Sequence, residues 1–375
     1  MRKTSSFING TLLALTVGLI LLGVIMVLSC SQSAFSTSLD SNVYENMGKQ
    51  LIWFSLGLAA LRFFSSTDYN VWERYSRPLM LVTIIMLGMV FLFPEVNGAR
   101  RWIPIAGQKI QPSELAKISI IIYLSSVWAD RRERLASFIN GVLYPMLFVG
   151  IALALILLEP AHSATFFIGL IALTIWFVAG GRLLHLAPVF AAMTTGIAAA
   201  IYAKPVLFKR ILAFLHPEEH KSDKYYQVWQ SLIGFAHGGL WGKGLGESNV
   251  QTPFSETDFI FSTMGEELGF MKCSLVLIAF LLLIWIGYGI ALRCRNPFGS
   301  LLAVGCTTAI GVQAALNVAV VTGSIPTTGI ALPFISYGGS SLLVSMSLMG
   351  LLMSVAKDAF DEELEKPRRR ARAIA

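Results

Sequence analysis

Charge is what this sequence has least of: 14% of its 375 residues are Asp, Glu, Lys or Arg, whereas 55% are hydrophobic. A water-soluble globule of this length needs more polar surface, so the composition excludes an ordinary soluble domain. Cysteine is also scarce, and the scatter of the four residues excludes a disulfide framework or a zinc knuckle. The mean hydropathy of +0.67 predicts a protein that crosses a membrane several times.

Apolar runs of about 17 to 25 residues, long enough to cross a bilayer as helix, occur along the whole chain. We expect spans near 10–29, 50–64, 78–94, 113–129, 138–158, 164–181, 185–203, 269–292, 299–321 and 336–356. The predicted fold class is all-α, a polytopic membrane protein with about ten transmembrane helices. A single transmembrane domain is expected over 1–360, with a large extracytoplasmic loop at about 204–268 and a basic cytoplasmic tail over 361–375.

Basic residues in the short connections orient these helices, because Lys and Arg are retained on the cytoplasmic side. With the N-terminus inside, Arg74, Arg77, Arg182 and Arg293 all fall on that side, as does the tail sequence KPRRRAR. Both termini are therefore predicted to be cytoplasmic. The net charge of +7 comes largely from these anchors and indicates contact with anionic lipid rather than nucleic acid. The tail is expected to be solvated and disordered.

Two hydrophilic segments on the opposite side are basic against this rule, namely 97–117 and 204–268. In the second, a surface helix is expected near 225–237, followed by the glycine-rich stretch HGGLWGKGLGES. Glycines let backbone N–H groups approach an anion, but His237 replaces the first glycine of a Walker loop and Gly244 its hydroxyl residue. A turn-rich linker is the alternative. An inverted zinc-protease motif, HPEEH at 216–220, is disfavoured because Pro217 biases His216 away from helix.

The first outer segment ends in PSELAK, which is typical of a helix start. Ser113 is the expected N-cap, and Glu114 and Lys117 lie three residues apart on one face. Either these two side chains form an internal ion pair, or they contact a ligand.

Acidic residues cluster where the long loop returns to the membrane, in SETDFIFSTMGEELGF at 255–270. Asp258, Glu266 and Glu267 stand at this edge, where ionisable groups are costly and commonly functional or paired. A catalytic or proton-relay role for one of them is one reading, and complementing the helix dipole is the other.

The connection GSIPTTGIALPFISYGGSSLL, 323–343, joins the last two spans, and its prolines and glycines break helix. It either forms a tight re-entrant turn or lines a lipid cavity, since irregular backbone survives at membrane depth where protein or water covers it.

Several motifs together resemble one family. GARRWI, QPSELAK, RILAFLHP, YQVWQSLIGFAHGGLWGKGLG, TDFIFSTMGEELG and the 323–343 connection occur in the order found in the shape, elongation, division and sporulation family, whose members include FtsW and RodA. The resemblance covers nearly the whole chain. PTTGIALPFISYGGSS, 326–341, is closer to the FtsW/SpoVE branch and favours a role in division.

This resemblance implies a peptidoglycan glycosyltransferase that polymerises lipid II at the outer face of the cytoplasmic membrane. The expected partners are a class B penicillin-binding transpeptidase and other divisome membrane proteins. Asp258 matches the family's catalytic aspartate and would act as general base in an inverting displacement. Substrate-binding candidates are Arg101, Glu114, Lys117, Arg210, Gln227, Lys243, Ser336 and Ser340. A divalent cation is a possible cofactor, although no ligand set is readable.

Three departures from the family pattern surround this site. Ala161 stands where the family usually has aspartate, Glu256 where it has histidine, and the loop before Asp258 is about three residues shorter than in the family. We expect Glu256 to raise the pKa of Asp258 by like-charge repulsion. A lipid II transporter and a noncatalytic scaffold for the transpeptidase stay open as alternatives.

Overall fold

The computed structural model describes residues 3–35, 42–95, 99–105, 107–130, 137, 139–159, 161–181, 195, 214, 226–248 and 256–374. Within these ranges the chain is mainly helical. The helices are α1 (Lys3–Phe35), α2 (Asn42–Ser66), α3 (Tyr69–Met89), α4 (Pro112–Asp130), α5 (Tyr144–Leu158), α6 (His162–Val178), α7 (Tyr226–Gly238), α8 (Ile260–Arg293), α9 (Pro297–Val321) and α10 (Gly339–Ile374).

Shorter elements complete the described fold. A 3-10 turn, Val90–Leu92, extends α3, and a π-helical turn, Ile139–Leu143, leads into α5. Strands β1 (Ile103–Ile105) and β2 (Gln108–Ile110) pair antiparallel in the segment before α4.

Six helical segments are long and apolar enough to cross a membrane: Ser5–Cys30, Tyr69–Leu92, Gly141–Leu158, Ile260–Arg293, Pro297–Val321 and Gly339–Phe360. The predicted spans 50–64, 113–129 and 164–181 coincide with α2, α4 and α6, which are helical but shorter or more polar than these six. The predicted span 185–203 lies almost entirely outside the described residues. The helical, multi-pass character is therefore confirmed, whereas the number of about ten spans stays a prediction.

Small residues let the long helices pack closely, as is common between membrane helices. A Cβ at Gly350 of α10 would lie 2.7 Å from the Leu61 carbonyl of α2, and one at Gly287 of α8 would lie 2.2 Å from the Thr307 hydroxyl of α9. These contacts bring α2, α8, α9 and α10 together around a core of buried aliphatic side chains.

The two ends of the bundle can be told apart by residues at the helix termini. Asn296 caps the start of α9 and donates to Asn70, at the start of α3, over 2.8 Å. Asp258 precedes the first residue of α8, so it lies at the other end of that helix from Arg293. The start of α3 and the Asp258 turn therefore occupy opposite ends of the molecule.

Three local features of the chain were predicted from the sequence. The surface helix expected near 225–237 is confirmed by α7. The N-cap assignment of Ser113 is wrong, because α4 begins at Pro112 and places Ser113 inside the first turn. The disordered tail is also wrong: the helical backbone of α10 continues to Ile374, through a stretch rich in Glu, Arg and Ala, which favour helix.

Candidate active site

Asp258 lies on a turn, residues 256–259, that directly precedes α8. Its side chain is half-buried, and within the described part of the chain its carboxylate takes part in no hydrogen bond or ion pair. Burial alone raises the pKa of Asp258 to about 6. The cause expected from the sequence, repulsion by Glu256, is therefore wrong. A carboxylate with this pKa is suited to accept a proton near neutral pH.

The 323–343 connection holds the Asp258 turn from one side. The Ser336 hydroxyl donates to the Thr257 carbonyl over 2.6 Å, and the Tyr337 N–H donates to the Glu256 carbonyl over 2.8 Å. Gly329 approaches so closely that a Cβ there would lie 3.3 Å from Asp258 Oδ2, and its φ of 68° suits glycine. The connection therefore borders the Asp258 turn, and whether it also lines a lipid cavity stays a prediction.

Asn317 holds the same turn from α9. Its side chain is 1% exposed, and its Nδ2 donates to the Asp258 carbonyl and to the Ile330 carbonyl, each over 2.8 Å. One amide therefore joins the turn, α9 and the connection, and it fixes the backbone of the residue that carries the carboxylate.

Replacing Asn317 with leucine is expected to lower the rate of the reaction at Asp258 by about 10- to 100-fold, because two buried carbonyls lose their donor and the turn shifts. The rate should be measured on protein that keeps its unfolding temperature within a few degrees. Thr322→Val on the same helix is the matched control, because the Thr322 hydroxyl bonds to its own helix and to nearby Ser324. If Asn317→Leu keeps the wild-type rate, Asn317 does not position the Asp258 turn.

Lys117 brings a buried positive charge to the same region. It is 3% exposed, and its ammonium group donates to Glu114 over 2.8 Å and to Gln313 over 3.1 Å. It also lies 4.8 Å from the centre of the Phe167 ring, a cation–π contact. The expected ion pair between Glu114 and Lys117 is confirmed.

Gln313 connects this charge to the connection that borders Asp258. Its Nε2 donates to the Ala331 carbonyl over 2.9 Å and to the Ser341 hydroxyl over 3.2 Å, while its Oε1 accepts from Lys117. Gln313 and Asn317 are one helical turn apart, so a single face of α9 orients both the cation and the carboxylate. Sequence reasoning missed both amides.

Arg101 is a second cation on this side of the molecule. Its Nε donates to the Glu159 carbonyl over 3.0 Å, just beyond the end of α5. Glu159 itself is fully buried, and among the described residues neither carboxylate oxygen has a hydrogen-bond partner. Burial raises the pKa of Glu159 to about 8, despite the opposing effect of Arg101. At neutral pH Glu159 is therefore mainly protonated.

The glycine-rich loop packs on the start of α8 instead of forming an open anion site. The Lys243 and Gly244 N–H groups donate to the carbonyls of Glu266 and Glu267, over 3.0 and 3.1 Å. The Lys243 ammonium group lies 2.7 Å from the fully buried Glu266 carboxylate. Lys243 therefore has a structural partner, and its binding to substrate stays a prediction.

Glu266 and Glu267, further along the 255–270 stretch, both have hydrogen-bond partners. Ser248 donates to Glu266 and Ser29 of α1 donates to Glu267, over 2.7 and 2.6 Å. Among Asp258, Glu266 and Glu267, the carboxylate without a partner in the described chain is that of Asp258. This difference favours Asp258 among the three candidates, and its catalytic role stays a prediction.

Two glycines of this loop separate the effect of backbone strain from that of steric overlap. Gly239 and Gly242 both have positive φ, 52° and 82°, but a Cβ at Gly239 meets nothing within 4 Å, whereas one at Gly242 would lie 2.2 Å from the Glu267 carbonyl. Gly239→Ala is expected to cost about 1–2 kcal/mol of stability, and Gly242→Ala at least about 1–3 kcal/mol more. Equal unfolding temperatures for Gly239→Ala and Gly242→Ala would contradict the close packing of Gly242 against the Glu267 carbonyl.

The remaining predicted binding residues are distributed as follows. Ser336 and Ser340 are buried; Ser336 also accepts from the Leu332 N–H, and Ser340 accepts from the Gln111 N–H, so both hydroxyls are used internally. Gln227 is half-buried at the start of α7. Arg210 and the HPEEH motif lie outside the described residues. Contact of any of these residues with substrate stays a prediction.

Comparison with known proteins identifies the family. The FtsW, RodA and SpoVE family, described as "Cell cycle protein", matches residues 10–360. A protein of Geobacter sulfurreducens (strain DL-1 / KN400) named "Probable peptidoglycan glycosyltransferase FtsW" is 35% identical, over 92% of this chain and 94% of the relative. "Stage V sporulation protein E" of Bacillus subtilis (strain 168) is 36% identical, over 92% and 95%.

A solved structure agrees with these sequence relatives. A chain from a study entitled "Structural coordination of polymerization and crosslinking by a peptidoglycan synthase complex" superposes with a TM-score of 0.76 at 25% identity, over 93% of this chain and 97% of that one. The predicted family resemblance is confirmed. This multi-pass membrane protein belongs to the FtsW, RodA and SpoVE family of cell cycle proteins, in its FtsW/SpoVE branch.

Proposed function

We propose that this protein is a peptidoglycan glycosyltransferase that polymerises lipid II into glycan strands during cell division. The observation that carries the proposal is the Asp258 carboxylate, half-buried, unpaired within the described chain and held by backbone contacts from α9 and the 323–343 connection. The names of the sequence relatives support the same activity.

The reaction is a displacement at a sugar carbon. Asp258 removes the proton from the 4-hydroxyl group of the acceptor sugar as its oxygen attacks the anomeric carbon of the donor. The bond from that carbon to the lipid diphosphate breaks, and the diphosphate leaves with the electron pair. One displacement inverts the configuration, so an α-linked donor gives a β-linked polymer.

Positive charge is needed where the diphosphate departs. Lys117 and Arg101 are the cations that we assign to this role. Lys117 is linked through Gln313 to the connection beside Asp258, and Arg101 is held at the end of α5 by the Glu159 carbonyl. Arg210 and Lys243 are further candidates from the sequence. The Gln313 amide and the Glu114 carboxylate orient the Lys117 ammonium group.

No step of this proposal is assigned to a metal ion. In the part of the chain that the structure describes, no three His, Cys, Asp or Glu side chains lie close enough to hold one. A divalent cation shared with the substrate's diphosphate needs only one or two protein ligands, so the possible divalent cation stays a prediction, which the polymerisation rate with and without a chelator tests.

The membrane setting follows from the charge distribution. We propose about ten spans in the bacterial cytoplasmic membrane, with both termini in the cytoplasm and Asp258 at the outer surface. The proposed partners are a class B penicillin-binding transpeptidase and other divisome membrane proteins. The structural likeness to a chain of a peptidoglycan synthase complex supports a complex of this kind.

The test is polymerisation of labelled lipid II by the purified protein together with its transpeptidase. Glycan strands that require Asp258 support the proposal. Movement of labelled lipid II across vesicles without polymer would favour a transporter. Dependence of the transpeptidase on this protein, with neither activity present, would favour a noncatalytic scaffold.

The polymerisation rate should fall as the pH is lowered through about 6, the pKa of Asp258. Burial raises the pKa of Asp258 to about 6 from the ordinary value of 3.8, so the carboxyl is protonated, and cannot act as a base, at pH values where an exposed aspartate is still ionised. The polymerisation rate at low substrate should fall about tenfold per pH unit below 6. Glu256→Gln should leave the pH of half-maximal rate unchanged. A shift of that pH in the variant would show that repulsion by Glu256 contributes to the raised pKa of Asp258.

A further inference from the structure

A cavity lies between α3, α4 and α5, in a part of the molecule that the proposed reaction does not use. Its volume is about 80 Å³. It is lined by Arg77, Met80, Tyr123, Val127, Tyr144 and Phe148.

The cavity lies near the membrane surface opposite the Asp258 turn. Arg77 is roughly 12 Å along the axis from the start of α3, and Tyr144 is the first residue of α5. The start of α3 is the end of the bundle where Asn70 contacts Asn296, far from Asp258. The cavity therefore lies at the depth where the head groups of one leaflet meet the hydrocarbon.

The cavity is open to lipid rather than enclosed in the core. Arg77 is exposed, and Tyr144 is 49% exposed. The inner wall of the cavity is made of packed aromatic rings. Tyr123 and Phe148 contact each other edge to face, with their ring centres 5.9 Å apart. Nearby, Trp128 donates to the Gly141 carbonyl of the π-helical turn over 2.9 Å and joins α4 to α5.

Arg77 supplies a charge that the described chain does not balance. No ion pair or hydrogen bond to its guanidinium is formed by the residues that the structure describes. Its neighbour Pro78 lies within α3 and has no N–H group to donate to the preceding turn of the helix. An arginine at the head-group level favours an anionic partner, and the phosphates of lipid head groups are the anions available there.

We propose that Arg77 and this cavity bind the phosphate of an anionic phospholipid in the leaflet opposite the Asp258 side. The guanidinium pairs with the phosphate in the bidentate manner typical of arginine. Tyr144 presents its phenol at the head-group level, where tyrosine is favoured. Met80, Val127 and Phe148 contact the first methylene groups of an acyl chain. Basic pockets between membrane helices commonly bind such head groups.

Native mass spectrometry of the intact protein, equilibrated with equal amounts of phosphatidylglycerol and phosphatidylcholine, tests this site. The wild-type protein should retain phosphatidylglycerol preferentially. Arg77→Gln should lower the ratio of bound phosphatidylglycerol to phosphatidylcholine by about fivefold. Arg74→Gln is the matched control, because Arg74 is an exposed arginine on the same helix that does not line the cavity. The control should change the ratio by less than about twofold.

Either of two results overturns the site. An unchanged ratio in Arg77→Gln would show that Arg77 does not hold the lipid, and an equal loss in Arg74→Gln would show only general attraction to basic residues. Val127→Phe fills the cavity with Arg77 intact and should also lower the ratio. If Arg77→Gln fails to fold, an unchanged ratio in Val127→Phe overturns the proposal by itself.

Discussion

Asp258→Asn is expected to lower the rate of lipid II polymerisation by about 10²- to 10⁴-fold, the usual contribution of a general base. Asparagine has nearly the same shape as aspartate, and the contacts that hold the turn use the backbone carbonyls of Glu256, Thr257 and Asp258. The fold of the turn should therefore survive, whereas the proton acceptor is lost. The initial rate of glycan formation is the measurement, at equal protein abundance in the membrane.

The matched control for this variant is Glu247→Gln. Glu247 is an exposed acid in the glycine-rich loop, and its substitution removes the same charge from the same region of the chain. We expect a rate within about twofold of wild type, since exposed substitutions away from a site have small effects. A comparable loss in both variants would mean that the rate reports the overall charge of this surface and not the Asp258 carboxylate.

Lys117→Met is expected to lower the turnover rate by about 10²- to 10³-fold, as when one preorganised donor to a developing anion is lost. The cation is buried between Glu114, Gln313 and the Phe167 ring, where low polarity strengthens its effect on a departing diphosphate. Methionine keeps much of the length and apolar contact of the lysine stem. The substrate affinity and the turnover rate should be measured separately.

A second substitution separates catalysis from folding. Lys117→Met leaves Glu114 without its ion-pair partner, and this alone destabilises the protein. In the double variant Lys117→Met, Glu114→Gln the unpaired charge is gone, so the unfolding temperature should recover. The turnover rate should stay as low as in Lys117→Met. Recovery of the rate to within about tenfold of wild type would show that Lys117 acts only by neutralising Glu114.

Local patterns in the sequence were sufficient for the parts of the fold that depend on single segments. Long apolar runs predicted the helices, and the spacing of Glu114 and Lys117 predicted their ion pair, because both follow from helical geometry. The position of the acids beside an apolar span left three candidates, and the resemblance of TDFIFSTMGEELG to the family's motif singled out Asp258. These features need no knowledge of distant contacts.

Contacts between distant segments explain what the sequence did not predict. Lys243 looked like a cation for the substrate, but the packing of the loop against α8 brings it to the buried Glu266. Burial, which only the folded chain determines, replaces Glu256 as the cause of the raised Asp258 pKa. Gln313 and Asn317 offered one usable signal, namely two amides a helical turn apart in an apolar helix; their backbone partners in the connection were not readable.

Lipid II binding and lipid II polymerisation, measured side by side on Asp258→Asn, test the central claim most directly. A residue that only accepts a proton during the displacement should leave ground-state binding within about threefold of wild type while polymer formation is lost. Polymer formed at more than about a tenth of the wild-type rate would contradict the assignment of Asp258 as the base. So would a loss of binding that accounts for the whole loss of rate, because Asp258 would then hold the substrate and not activate it.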